Sequence, residues 1–227
     1  MSHQKVRSKE NILDYVSSSS TIMIGGFGGV GTPPTTIDVL LHSDIDSLTI
    51  ISNDAGFPDI GIGRLVCHYK AAKMITTHIG SNPVAGRLMN ENKLEIEFVP
   101  QGTFAERVRA GGVGLGGILV DSGLQTYNSS SENTVKIDNK IYYLERPLTA
   151  DVSFIYAKKA DTLGNLIYDK TARNMNPLMA MAGDVTIAEV EEIVPAGSLD
   201  PELIITPGVF VDVIVESEGV NWKWVWE

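Results

Sequence analysis

The stretch GGFGGVGTPP, residues 25–34, places five glycines in its first seven positions and follows the apolar run Thr21 to Ile24. Gly26, Gly28 and Gly31 satisfy G-x-G-x-x-G, the spacing in which a strand turns into a helix over the pyrophosphate of a dinucleotide. In that chemistry the third glycine lies within the helix, and an acid about 20 positions later receives the ribose. Asp54 is a candidate for that acid. Thr32-Pro33-Pro34 argues against the dinucleotide: proline is accepted in the first helical turn and disfavoured beyond it, so the helix starts near Pro33 with Thr32 as its cap. Gly31 then lies outside the helix. Such a loop, with free amides and no Cβ atoms, suits close approach of an extended ligand or another backbone.

Three further stretches have comparable chemistry. They are SNDAG (52–56), HIGSNP (78–83) and PQGT (100–103). Each follows an apolar segment with strand character: TIMIGG (21–26) precedes the glycines, and SLTIIS (47–52), AKMITT (72–77) and LEIEFV (94–99) precede the others, with DVSFIYAK (151–158) further on. Helical patterns over 8–17, 33–42, 82–92, 103–110 and 175–183 alternate with them. The alternation predicts an α/β fold, with an open, mainly parallel sheet covered by helices on both faces. TVKI and KIYYL flank Asp138 and Asn139, a two-residue turn signal, and predict a β-hairpin insertion around 123–148 in an otherwise continuous 1–227 domain. Ligands in open parallel sheets sit beyond the carboxyl ends of the strands, where all four polar stretches fall. An ordinary turn explains any one of them; four on one edge make a cleft.

Other reactive residues have plainer readings. His3, His42, His68 and His78 lack metal-ligand spacing, no metal is expected, and only His78 lies on the proposed edge. Cys67, the single cysteine, has no intramolecular disulfide partner and fits a reducing, cytoplasmic compartment. Met175, Met179 and Met181 read as helix packing, and Arg107 and Arg109 as phosphate contacts or as paired surface groups. The formal charge of -10 opposes non-specific attraction to nucleic acid or anionic membranes. No apolar run reaches the roughly 20 residues that span a bilayer, and MSHQKVRSKEN lacks the apolar core of a signal peptide.

IMIGGFGGVGTP resembles the glycine-rich signature of the family I coenzyme A transferases, specifically the alpha chain of the acetate and acetoacetyl (3-oxoacid) type. SNDAG, HIGSNP, PQGTFAERVRAGGVGLGG, ERPLTADVSFIYAKKADTLGNL, ARNMNPLMAMAGDVTIAEVEEIV and ITPGVFVD continue the resemblance in the family's order. Two features depart from it. Ser18-Ser19 replaces an Asp-Gly turn, and NWKWVWE at the end matches nothing in the pattern.

The resemblance implies ping-pong transfer of CoA between an acyl-CoA and a short-chain carboxylic acid such as acetate, butyrate or acetoacetate. CoA is then a substrate and covalent intermediate, with no permanently bound cofactor. The nucleophilic glutamate belongs to a separate beta subunit, in a Ser-Glu-Asn-Gly motif, so the working enzyme is a heterodimer or heterotetramer and this chain holds no catalytic nucleophile. Ser131-Glu132-Asn133 imitates the motif, but Thr134 replaces its glycine, and the tripeptide stands before the hairpin rather than at a strand end. Gly25, Gly26, Phe27, Gly28, Gly29, Val30 and Gly31 are the expected CoA-contacting segment, and Gln101 and Asn53 the expected substrate-facing residues. Each polar residue also has a structural alternative: a capping box of Thr103 and Glu106 beside Gln101, and an Asx-turn at Asn53. A sugar-phosphate isomerase or deaminase, or a non-catalytic CoA- or nucleotide-binding regulator, is the alternative function. The former needs a full acid/base set in this one chain, and the latter binds its ligand without a partner. Trp222, Trp224 and Trp226 recur at period two and in an extended strand share one face, predicting burial on the chain's own sheet or against a partner chain.

Overall fold

The computed structural model describes residues 5–121 and 133–222. Strand β1 (Thr21–Ile24), helix α1 (Pro34–Leu41), β2 (Leu48–Ser52), α2 (Ile62–Cys67), β3 (Ala71–Thr76), α3 (Pro83–Asn90), β4 (Glu95–Phe98) and α4 (Gln101–Gly112) alternate through the first half. A three-stranded antiparallel sheet follows, made of β5 (Ile118–Val120), β6 (Thr134–Ile137) and β7 (Lys140–Glu145) in the order β5-β7-β6. The chain then returns through β8 (Ala150–Asp161), β9 (Leu166–Ile167), the short α5 (Asn176–Met179), β10 (Gly183–Val194) and β11 (Val213–Glu216). The main sheet runs β11-β10-β8-β1-β2-β3-β4, parallel throughout, with β9 added antiparallel to β8.

Side-chain alternation along the strands builds two cores. Ile22, Ile24, Ile50 and Met74 pack on one face against Ile37, Leu40, Leu65 and Leu88 from α1, α2 and α3. Met23, Ile51 and Ile75 point the other way, toward Phe104 and Val108 of α4 and Met179 of α5. Both faces are therefore covered, as strand-helix alternation predicts. The hairpin is present too: Asp138 and Asn139, at φ 45° and 66°, make the two-residue turn that joins β6 to β7. No helix among the described residues is long and apolar enough to cross a membrane.

Several expectations need correction. The predicted helix over 8–17 is a 3-10 turn, Lys9–Asp14, and the one over 175–183 shrinks to Asn176–Met179. The second shortens because Gly183 already pairs with Ala150 and starts β10. GDVTIAEVEEIV was not among the expected strands because its acids break the apolar run, yet one of those acids, Glu189, is fully buried. Helix α2 and strand β11 were also outside the sequence reading.

The helix start near Pro33 holds, but its expected cap, Thr32, is replaced by Glu189. Pro33 is the N-cap, Pro34 begins the helix, and the hydroxyl of Thr32 donates instead to Gly29 O at 2.8 Å. Because neither proline has an N–H, the first donors of the helix are Thr35 and Thr36. Both donate to the Glu189 carboxylate, at 3.0 and 2.9 Å, alongside the hydroxyls of Thr36 and Ser217. A carboxylate from β10 thus caps a helix more than 150 residues upstream, at the positive end of its dipole. Burial pushes the Glu189 carboxyl above its ordinary value, opposed in part by the Ser217, Thr36 and Thr35 donors.

The strand order reverses between β1 and β8, which pair from Ile22 and Val152 to Ile24 and Phe154 before β8 continues to Asp161. A crevice opens at such a reversal, and the glycine loop leaves β1 there.

Glu189→Gln sets an amide nitrogen against donors and is expected to cost about 1–3 kcal/mol, read from the urea midpoint. The folded carboxyl, raised in pKa, retains a proton that the unfolded chain has lost. Its contribution is therefore fullest below the unfolded value and declines as pH rises through the folded one. The stability gap between wild type and E189Q should narrow with rising pH across that window; a widening gap would contradict the assignment.

Candidate functional site

The carboxyl end of the sheet is joined by one buried carboxylate. Asp54, 2% exposed just past β2, accepts the Gly28 N–H at 2.8 Å and the Asn53 side-chain amide at 3.0 Å on Oδ2, and the Gly56 N–H at 2.9 Å on Oδ1. Asn53 in turn accepts from Gln101 Nε2 at 2.6 Å. A continuous relay therefore runs from the first residue of α4, through Asn53 and Asp54, to the glycine loop after β1. The three residue sets anticipated at this edge, the loop, Asn53 and Gln101, meet in one array. Asp54 was expected only as a ribose acceptor; its oxygens are occupied by the protein itself, and Gly31 lies outside α1. Both requirements of the dinucleotide reading fail.

The neighbouring loops fasten this array. Thr77 donates to Asn53 O from its amide at 3.0 Å and its hydroxyl at 2.7 Å, and Ala55 N–H donates to His78 O at 3.2 Å. Asn82 caps α3 through its Oδ1 and donates from Nδ2 to Ala55 O at 3.0 Å, while Ser81 donates to Gly56 O at 2.7 Å. The Asx-turn considered for Asn53 belongs to Asp54, whose Oδ1 takes the N–H two residues on. The capping box also fails, because α4 starts at Gln101, which leaves Thr103 buried in the third helical position and Glu106 paired with Arg109.

Phe27 and Val30 exchange both backbone hydrogen bonds, 3.0 and 3.1 Å, which folds the glycine loop into a tight turn. Its glycines then separate into two kinds. A Cβ on Gly31, at φ +78°, would lie 2.4 Å from Ala172 O, whereas one on Gly28, at φ +57°, would meet nothing within 4 Å. Gly25, Gly26 and Gly29 resemble Gly31 in being buried and closely approached by Asn176, Thr32 and Ile60. Phe27, 49% exposed, and the partly exposed Gly28 are therefore what the turn presents outward. A second turn, missed in the sequence, has the same form. Gly56-Phe57-Pro58-Asp59-Ile60-Gly61 repeats the G-F-x-x-V/I-G spacing of residues 26–31, with a Phe57–Ile60 bridge matching Phe27–Val30. The shared spacing was the available signal, and the two turns touch where Gly29 faces Ile60.

The remaining candidates are structural. His42 and His68 are exposed and contact helix carbonyls, while His78 is exposed on the sheet edge. Arg107 is 9% exposed and bound to Arg146 O, Glu97 and Glu145, which leaves it no phosphate role. Burial pushes the Cys67 thiol upward. Met175 and Met179 are buried in the second core and Met181 is partly buried. Ser131 and Glu132, His3, Trp224 and Trp226 lie outside the described residues. No group of three or more His, Cys, Asp or Glu among the described residues could hold a metal ion.

A family model described as coenzyme A transferase matches residues 6–217. The chain belongs to the coenzyme A transferase family. It is 55% identical over 225 residues to the alpha subunit of a probable coenzyme A transferase of Bacillus subtilis, covering 99% of this chain and 98% of that one. It is 44% identical to the alpha subunit of the acetate CoA-transferase of Escherichia coli, over 94% of this chain and 97% of that one. It is also 44% identical to the acetoacetyl-CoA:acetate/butyrate CoA transferase alpha subunit of Clostridium acetobutylicum, over 95% and 99%. Among solved structures, an acyl-CoA transferase from Escherichia coli O157:H7, in a thioester complex with CoA, shares the fold at TM-score 0.84 and 24% identity, covering 94% of this chain and 50% of that one. Glutaconate coenzyme A-transferase from Acidaminococcus fermentans shares it at TM-score 0.78 and 21% identity, over 93% and 75%.

The two kinds of loop glycine separate in a stability assay. Gly31→Ala forces a methyl into Ala172 O and is expected to lower stability by about 3 kcal/mol or more, whereas Gly28→Ala carries only the left-handed backbone cost of about 1–2 kcal/mol. Equal melting temperatures for the two variants would contradict the packing described.

Proposed function

We propose that this member of the coenzyme A transferase family is the alpha half of a heteromeric enzyme that exchanges CoA between an acyl-CoA and a short-chain carboxylic acid. The observation that carries the reading is coverage: the chain spans 97% to 99% of relatives named as alpha subunits, and half of the chain of a solved acyl-CoA transferase. A complementary beta subunit supplies the other half. Acetate, butyrate and acetoacetate form the substrate range, and the compartment is the cytoplasm.

In this reading a glutamate carboxylate on the beta subunit's side of the cleft attacks the thioester carbonyl, giving an acyl-glutamyl anhydride and expelling CoA thiolate. The thiolate attacks the glutamyl carbonyl of the anhydride and releases the first carboxylic acid as its anion, which leaves a glutamyl-CoA thioester. A second carboxylate attacks that thioester, and the same two steps in reverse form the new acyl-CoA and free the glutamate. Dividing the exchange in this way replaces one difficult step by easier ones.

This chain contributes the wall and the dipoles. The turn at Phe27 and Gly28 faces the CoA, its open side free of side-chain atoms at Gly28. Gln101 spends one amide hydrogen on Asn53 and directs the rest of its amide at the reacting carboxylate. Asn53 is its positioning partner, held in turn by Asp54. The fixed amide needs no reorganisation as charge develops on the reacting oxygen.

The purified chain alone should transfer no CoA from acetyl-CoA to butyrate, and the beta subunit should restore transfer. Robust turnover by this chain free of partner would sink the reading. In the assembled enzyme Gln101→Ala should lower kcat by about 10- to 1000-fold, as loss of one oxyanion donor does. A shift in melting temperature with unchanged kcat would mark Gln101 as a helix-end residue only. Gly28→Ala, folded, should raise the KM for acetyl-CoA; an unaltered KM would remove the turn from the CoA site.

A further inference from the structure

The glycine loop is also held through its carbonyl oxygens. Val30 O accepts from Asn174 Nδ2, Gly31 O from Asn176 Nδ2 and Thr32 O from Trp222 Nε1, each at 2.9 Å. Three consecutive peptide groups are thus fixed by three side-chain nitrogens from the far end of the chain. Asn174 and Asn176 fall within the stretch that the family model matches, but Trp222 lies beyond its last residue, 217.

Its setting is specific. After β11 the chain crosses the start of α1, where Ser217 N–H donates to Val190 O and Glu218 N–H to the Thr35 hydroxyl, both at 2.8 Å. Trp222 then buries its indole, 6% exposed, edge-on to the Tyr156 ring, with centroids 5.1 Å apart and planes at 88°. Val30 and Ile60, one from each of the twin turns, pack against the same cluster. Tyr156 donates its hydroxyl to Glu191, which also takes Lys158 Nζ at 2.6 Å, so the ring that receives the indole is itself fixed. The indole therefore holds the backbone just past the glycine turn by hydrogen bond and belongs to the cluster on which side chains of both turns pack.

We propose that Trp222 is a positioning residue for acyl-CoA binding: its N–H and its ring hold the glycine turn in its ligand-receiving shape before the ligand arrives. Glycine-rich backbone has much freedom to lose, and a loop ordered in advance does not subtract that loss from binding. Identifying the ligand as acyl-CoA rests on the function proposed above; the holding of the turn does not.

Trp222→Phe keeps an aromatic ring beside Tyr156 and removes the N–H. In the assembled enzyme, amide exchange at Phe27, Gly28 and Val30 should quicken about fivefold to tenfold, as loss of one hydrogen bond allows, while exchange in β10 stays unchanged. The KM for acetyl-CoA should rise by a similar factor, with kcat and the KM for butyrate unaltered. Unchanged exchange in the turn would overturn the inference whatever the activity. So would faster exchange spread equally into β10, which marks a general loss of stability, or a loosened turn with an unaltered KM for acetyl-CoA. A wild-type heteromer that transfers no CoA would refute the proposed function instead, and with it acetyl-CoA as the ligand. The exchange comparison would then decide whether Trp222 holds the turn.

Discussion

A glycine loop at the carboxyl end of a parallel sheet has few side chains with which to hold itself, and its polar backbone must be satisfied from elsewhere. Much of the surrounding structure answers that constraint. Asp54 takes the Gly28 amide, and Asn174, Asn176 and Trp222 take the carbonyls of residues 30–32. Glu189 takes the first amides of the helix that follows. Five side chains from later parts of the sequence converge on residues 28–36. Twin turns then pack against each other, and a relay of amides ties the loop to the start of α4. The effect is a loop whose backbone polar groups are fixed by side chains from elsewhere in the chain.

That convergence also explains what was legible in the sequence. The first four strands and helices α1, α3 and α4 could be read because each satisfies its own period: Ile22 and Ile24 face one core while Met23 faces the other. The hairpin turn could be read from Asp138 and Asn139, and the exclusion of Gly31 from α1 from two prolines. Strand β10 was hidden because Glu189 looks like a surface acid and is instead a buried helix cap. Its partner lies more than 150 residues away, and no local pattern reports such a distance. Asp54 shows the same limit within the site. Residue type and spacing made it a ribose acceptor, whereas tertiary geometry makes it the junction of Gly28, Asn53 and Gly56.

In the proposed function, Gln101 and Asn53 would let a chain without the nucleophile still shape the chemistry. An amide on the first turn of a helix, tied by its own nitrogen to a buried neighbour, has few orientations left. Such a group stabilises developing charge at little reorganisation cost. In the proposed heteromer this chain would supply a rigid wall with oriented dipoles, and its partner the carboxylate that carries the group.

The central claim is that the covalent intermediate forms on the partner while this chain only receives it. The most direct measurement is intact-mass analysis of both subunits after the assembled enzyme is incubated with acetyl-CoA and separated under denaturing conditions. The account predicts an unmodified mass for this chain and an increment of CoA, as a thioester, on the beta subunit. A CoA adduct on this chain, at Glu132 or any other acid, would contradict it.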